Sequence, residues 1–145
     1  MTDESSFREC LCVLDCAGLH EIATTASNNL KALYLDRLSC GEIGVPVCVW
    51  KEFKDLYEEE AAEIEDYVVR RINMKKSYHT GAARIADLLN SGFSRGSYDS
   101  ETDLYTASIA SIEELVVLTA ASQLGYYAGI DCEVSDLGTW AEQQG

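Results

Sequence analysis

Three carboxylates in this sequence have the type and spacing to do chemistry together: Asp15, Glu52 and Asp103. Carboxylate oxygens suit hard cations such as Mg²⁺ or Mn²⁺. An ion of that kind activates water and stabilises the oxygens of a phosphodiester during in-line attack. Like charges held close repel, and a bound cation relieves the repulsion. Each acid also has an ordinary reading. Asp15 follows an apolar run and can cap the next helix. Glu52 shares its helix with Lys51, Lys54 and Asp55, which suits a solvated charge or an intrahelical partner. Asp103 fits the first turn of a helix, where the dipole favours an acid.

The elements that would position these acids alternate along the chain. Residues 10–15 are a short apolar run ending in Asp15, as in a buried strand with the acid at its C-terminal end. From Gly18 to Ser39 the apolar positions follow a helical stripe, with a recapping signal at Ser27-Asn28-Asn29 and a stop at Gly41. Ile43-Gly44-Val45 reads as a second strand, with Pro46 in the first turn of a helix that carries Glu52. A helix is expected from Glu58 through Ile72, its acids at the start and Arg70, Arg71, Lys75 and Lys76 at the end, in line with the dipole. A further helix carries Ala82, Ile85 and Ala86, and a loop around Gly92–Ser97 follows. Asp103 then opens a helix before the buried strand Leu115–Leu118, and Thr119 closes that strand. A short helix near Ser122–Tyr127 and a strand near Cys132–Val134 complete the alternation. Strands alternating with helices imply a parallel sheet with helices on both faces. Ligands bind such sheets beyond the C-terminal strand ends, where Asp15 and Thr119 fall.

The bulk composition narrows the chemistry. A length of 145 residues is that of one domain, and residues 1–145 are read as a single one. The acidic, polar N-terminus lacks the pattern of a secretory signal, and no apolar run is long enough for a membrane span. A cytoplasmic location is therefore expected, with the six cysteines as small buried hydrophobes rather than disulfide partners. Without a C-x-x-C pair, a zinc site is not expected. A net charge of −14 opposes nonspecific attraction to nucleic acid. The basic residues cluster between Arg70 and Arg95, which suits either a phosphate track or a solvated helix end. Walker loops, G-x-G-x-x-G, nucleophile-elbow serines and H-E-x-x-H motifs do not occur.

Four segments carry a resemblance. Val13-Leu14-Asp15-Cys16-Ala17-Gly18-Leu19, the Ile43–Phe53 segment with Pro46 and Glu52, Asp103-Leu104-Tyr105-Thr106-Ala107-Ser108-Ile109-Ala110, and Leu115-Val116-Val117-Leu118-Thr119 resemble, in order and spacing, the PIN-domain family of metal-dependent nucleases. The resemblance spans residues 10 to about 135. It implies an α/β three-layer sandwich around a short parallel sheet of four to five strands. It also implies Mg²⁺ or Mn²⁺ held by Asp15, Glu52 and Asp103, with Thr119 shaping the same catalytic pocket. Further implications are cleavage of RNA, the toxin role of a toxin–antitoxin pair, an antitoxin or other protein partner, and a homodimer. Two positions depart from the family pattern. Ala121 stands where a further aspartate is usual, and Cys16 where serine or threonine is common. Asp99 or Glu101 are the candidates to replace the missing acid. The competing expectations are a PIN-like protein-binding module without catalysis, and an acidic subunit that docks through the Leu19 helix face.

Overall fold

The computed structural model describes residues 9–91, 101–127, 130 and 132–144. The chain begins with strand β1 (Cys12–Leu14), followed by helices α1 (Cys16–Thr24) and α2 (Asn28–Ser39). Strand β2 (Ile43–Pro46) leads into α3 (Val47–Leu56) and α4 (Glu58–Ile64). Strand β3 (Arg71–Ile72) precedes the paired helices α5 (Lys76–Ser91) and α6 (Glu101–Glu113). Strand β4 (Val116–Thr119), a 3-10 turn (Ala121–Tyr127), β5 (Glu133–Asp136) and α7 (Leu137–Gln144) end it. The five strands are parallel, in the order β3-β2-β1-β4-β5.

The sheet separates two cores because successive side chains of a strand point to opposite faces. Cys12 and Leu14 of β1 join Leu19, Ile22, Phe53, Ile64 and Trp140 on one face. Val13, between them, joins Tyr78, Ile109, Val117 and Tyr127 on the other. Helices therefore cover both faces, giving the expected three layers. Leu19, Ile22 and Ala23 are spent on the first core, so the Leu19 face is not a docking surface.

Local chemistry sets the breaks. The Asp15 carboxylate accepts from the Gly18 N–H at 2.7 Å and starts α1. Ser27 Oγ accepts from the Leu30 N–H and restarts the chain as α2. Gly41, at φ 86°, takes the left-handed conformation that ends α2. Pro46 ends β2 and stands just before α3, one position ahead of the expected first turn.

The stretch after Glu58 departs from the helix expected there. Helix α4 stops at Ile64, a 3-10 turn covers Glu65–Tyr67, and Arg71–Ile72 pairs with Val45–Pro46 as an edge strand. The Val45 N–H donates to Arg70 O at 3.0 Å. Backbone pairing along the open side of β2 outweighs the helical spacing of Val68 and Ile72, and the β-branched Val68-Val69 pair favours the extended form. Arg70 and Arg71 are thus not a helix end. Arg70 Nε donates to Gly41 O, and Arg71 lies 5.1 Å from the centroid of the Trp50 ring. Helix α7 was not expected from the sequence. Its signal is nevertheless present: Asp136 Oδ2 accepts from the Thr139 N–H at 3.0 Å, and Leu137, Trp140 and Ala141 form one buried stripe.

Candidate functional site

The C-terminal edge of a parallel sheet is where loops and helix starts converge. β1 and β4 are adjacent, and the chain leaves them in opposite directions, toward β2 and toward β5. That arrangement is a topological switch point, the usual place for a crevice. Asp15 follows β1 there and Thr119 ends β4. Helix α6 runs back to feed β4, so its first turn, with Asp103, returns to the same edge. Helix α3 leaves β2 at that edge and carries Glu52 in its second turn.

Asp15, Glu52 and Asp103 line one cavity of about 560 Å³ together with Cys16, His20 and Tyr57. Among the described residues, no lysine or arginine lines it. A larger cavity, of about 870 Å³, lies between α5 and α6, where Lys76 and Arg84 line it and, among the described residues, no carboxylate does. The acidic cavity is the candidate site, because its groups perturb one another. Burial first, and then the charges of Asp15 and Glu52, raise the Asp103 pKa to about 7. Cys16 is pushed up to about 12, by burial and then by Glu52, Asp15 and Asp103. Without a metal ion this favours the thiol form.

Asp15 is only 1% exposed and its carboxylate is held from behind. Oδ2 accepts from Thr119 Oγ1 at 2.7 Å and from the Tyr127 hydroxyl at 2.6 Å, while Oδ1 accepts from the Gly18 N–H. Burial raises its pKa, and these hydrogen bonds work against the rise. Gly18 is required at this corner, since a Cβ there would lie 2.6 Å from Leu118 O and 2.7 Å from Leu14 Cδ2. Glu52 accepts from the hydroxyl of Thr102, the residue before Asp103, which ties α3 to α6.

Thr119 does not line the cavity. It is fully buried and reaches the site through Asp15. Ala121 is exposed and supplies no acid. Asp99, the loop around Gly92–Ser97 and Arg95 lie outside the described residues, as does the side chain of Glu101. Among the described residues, the basic stretch does not line the cavity: Lys75, for example, is 3.9 Å from Glu113 and 5.5 Å from the centre of the Tyr78 ring. Tyr127 and Thr102 are participants that no pattern in the sequence singled out. A tyrosine in a Gly-Tyr-Tyr turn has no periodic signal, and Thr102 is legible only as a neighbour of Asp103.

No family model matches the sequence, and no curated protein matches it significantly. Solved structures do match in shape. DNA-bound VapBC from Salmonella typhimurium aligns with a TM-score of 0.71 at 15% identity, over 89% of this chain and 99% of that one. VapBC2 from Rickettsia felis, bound to a DNA fragment from its promoter, aligns with a TM-score of 0.66 at 14% identity, over 87% and 98%. FitAB bound to an IR36 DNA fragment aligns with a TM-score of 0.63 at 17% identity, over 88% and 95%. The fold is PIN-like. At these identities the likeness carries the fold alone, and the chemistry rests on the residues.

The carboxylate oxygens of the PIN-like pocket fit a hard divalent cation in kind, although Cys16 and His20 line it as well. Among the described residues, however, no group of three His, Cys, Asp or Glu side chains is gathered closely enough to hold a metal ion. The three acids line a common space without forming such a group. Burial is the main cause of the raised Asp103 pKa, and repulsion from Asp15 and Glu52 adds to it.

Proposed function

We propose that this chain is a metal-dependent endoribonuclease, with Mg²⁺ or Mn²⁺ held by Asp15, Glu52 and Asp103. One observation carries the reading: acids from three separate elements line one cavity at the switch point of a PIN-like fold. A bound cation would supply an activated water and charge stabilisation at the phosphodiester. The chain's own residues prepare the place. Thr119 and Tyr127 fix the Asp15 carboxylate from the protein side. Thr102 orients Glu52. Asp103, with its pKa raised to about 7, is partly protonated near neutral pH without a cation, and metal binding would displace that proton. The VapBC and FitAB neighbours support a protein partner, and we assign the chain the toxin side of a toxin–antitoxin pair, as a homodimer whose pocket an antitoxin covers.

The alternative is a PIN-like binding module that has lost catalysis. Ala121 at the usual acid position and the three hydrogen bonds already on Asp15 favour it. Mn²⁺ calorimetry and RNA cleavage on wild type, Glu52→Gln and Asp103→Asn separate the two. Asp15→Asn is a poor probe because Asp15 also caps α1. Saturable binding and cleavage, both lost in either variant, support the nuclease. A folded wild type that neither binds Mn²⁺ nor cuts RNA leaves the binding module.

A further inference from the structure

The acidic cavity poses a problem for the nuclease reading, and its mouth holds an answer. RNA affinity usually comes from cations that neutralise phosphates. Here the chain carries a net charge of −14, and among the described residues no lysine or arginine lines the cavity. The described lining of this cavity therefore offers no basic side chain to a phosphate, and attraction there would draw on another source. Base stacking on aromatic side chains is the alternative source, and it works for any base because every base has a π-face.

An aromatic pair stands at the cavity. His20 of α1 and Tyr57, at the junction of α3 and α4, have ring centroids 4.2 Å apart with planes inclined by 35°. Both are only partly buried and both line the cavity with the acids. Leu56, 60% exposed, lines it beside them. The cavity that holds the acids thus has one aromatic and apolar flank. Tyr57 both packs against the core cluster and lines the cavity. Phe53, fully buried and 5.5 Å from the Tyr57 ring, already ties this junction to the core.

We infer that His20 and Tyr57 form a nucleobase subsite, which takes one unstacked base of a single-stranded RNA and sets its backbone beside Asp15, Glu52 and Asp103. The inference rests on the nuclease reading for its substrate but has its own readout. A base held there pays for the approach of its phosphate to the acids, and a duplex, whose bases stay stacked, is a poor ligand.

The test uses the full chain and a short single-stranded RNA carrying 2-aminopurine, whose fluorescence is quenched on stacking, mixed by stopped flow in Mn²⁺. Wild type should quench it saturably. His20→Ala and Tyr57→Ala should weaken binding about tenfold or more, the loss of one stacking contact, and Tyr57→Phe should restore it. Cleavage of the same RNA should fall by a similar factor when the base nearest the cut is removed to leave an abasic site. Circular dichroism checks that each variant is folded, and His20→Ala decides if Tyr57→Ala is not. Quenching without cleavage would sink the nuclease reading and keep the subsite. Cleavage that ignores both the abasic site and the two alanine variants would overturn the subsite and keep the nuclease.

Discussion

At the scale of residues, the site is governed by what surrounds each carboxyl group. Asp103 carries a pKa of about 7 in the folded chain against 3.8 as a free side chain. A folded-state carboxyl above its unfolded value binds more protons than the unfolded chain within that window. Stability of the metal-free protein should therefore fall as pH rises from about 4 to about 7. Denaturant titrations across that range should show the slope, and Asp103→Asn should flatten it. Glu52→Gln removes one of the repelling charges, so the Asp103 titration followed by carboxyl-carbon NMR should move down. Tyr127→Phe tests the other acid. It strips one hydroxyl from a buried carboxylate and should cost about 1–3 kcal/mol. Because the Tyr127 hydroxyl favours the charged form of Asp15, its loss should raise that pKa further. The deficit should then shrink as the pH falls far enough to protonate Asp15, because the neutral carboxyl loses less with the hydroxyl.

At the scale of elements, one close approach decides how α1 meets the sheet. The first turn of α1 lies against the end of β4, and Gly18 leaves room for it. Gly18→Ala would put a methyl group against the Leu118 carbonyl, which is backbone and cannot rotate away. We expect a loss of about 1–3 kcal/mol by thermal melting, since the strand or the helix must shift. Gly125→Ala is the control. Nothing lies within 4 Å of its Cβ position, so its stability should change by no more than about 1 kcal/mol. If both substitutions behaved alike, the close contact at α1 would not be what fixes the Asp15 corner. The helices between β3 and β4 show the same device, for Gly81 brings α5 to within reach of Ser108 on α6, whose hydroxyl donates to Tyr78 O at 2.8 Å.

At the scale of the molecule, charge is the dominant fact. A chain with a net charge of −14 repels itself when compact. Raising the salt from about 0.05 M to about 0.5 M should therefore raise the melting temperature, as screening shortens the reach of that repulsion. RNA binding should respond differently from that of basic nucleases. With no cation among the described residues lining the cavity, few counterions are released, and log Kd should depend only weakly on log salt. A steep slope would mean that phosphates are held elsewhere on the chain, with the Lys76 and Arg84 cavity the first place to look.

The sequence by itself determined the alternation of strands and helices, because apolar periodicity and capping residues act locally. Asp15 at a strand end, Ser27 as a cap and Gly41 as a stop were all legible for that reason. It also marked Asp15, Glu52 and Asp103 by their positions within those elements. Only the tertiary structure decided that Arg71–Ile72 is an edge strand, since its backbone partner lies far away in β2. The same holds for the polar contacts of the pocket. Tyr127 and Thr119 reach Asp15 across 112 and 104 residues of chain, and Thr102 reaches Glu52 across 50. Hydrogen bonds over such separations leave no periodic trace in the sequence, because the geometry that makes them exists only once the sheet has brought its strand ends together.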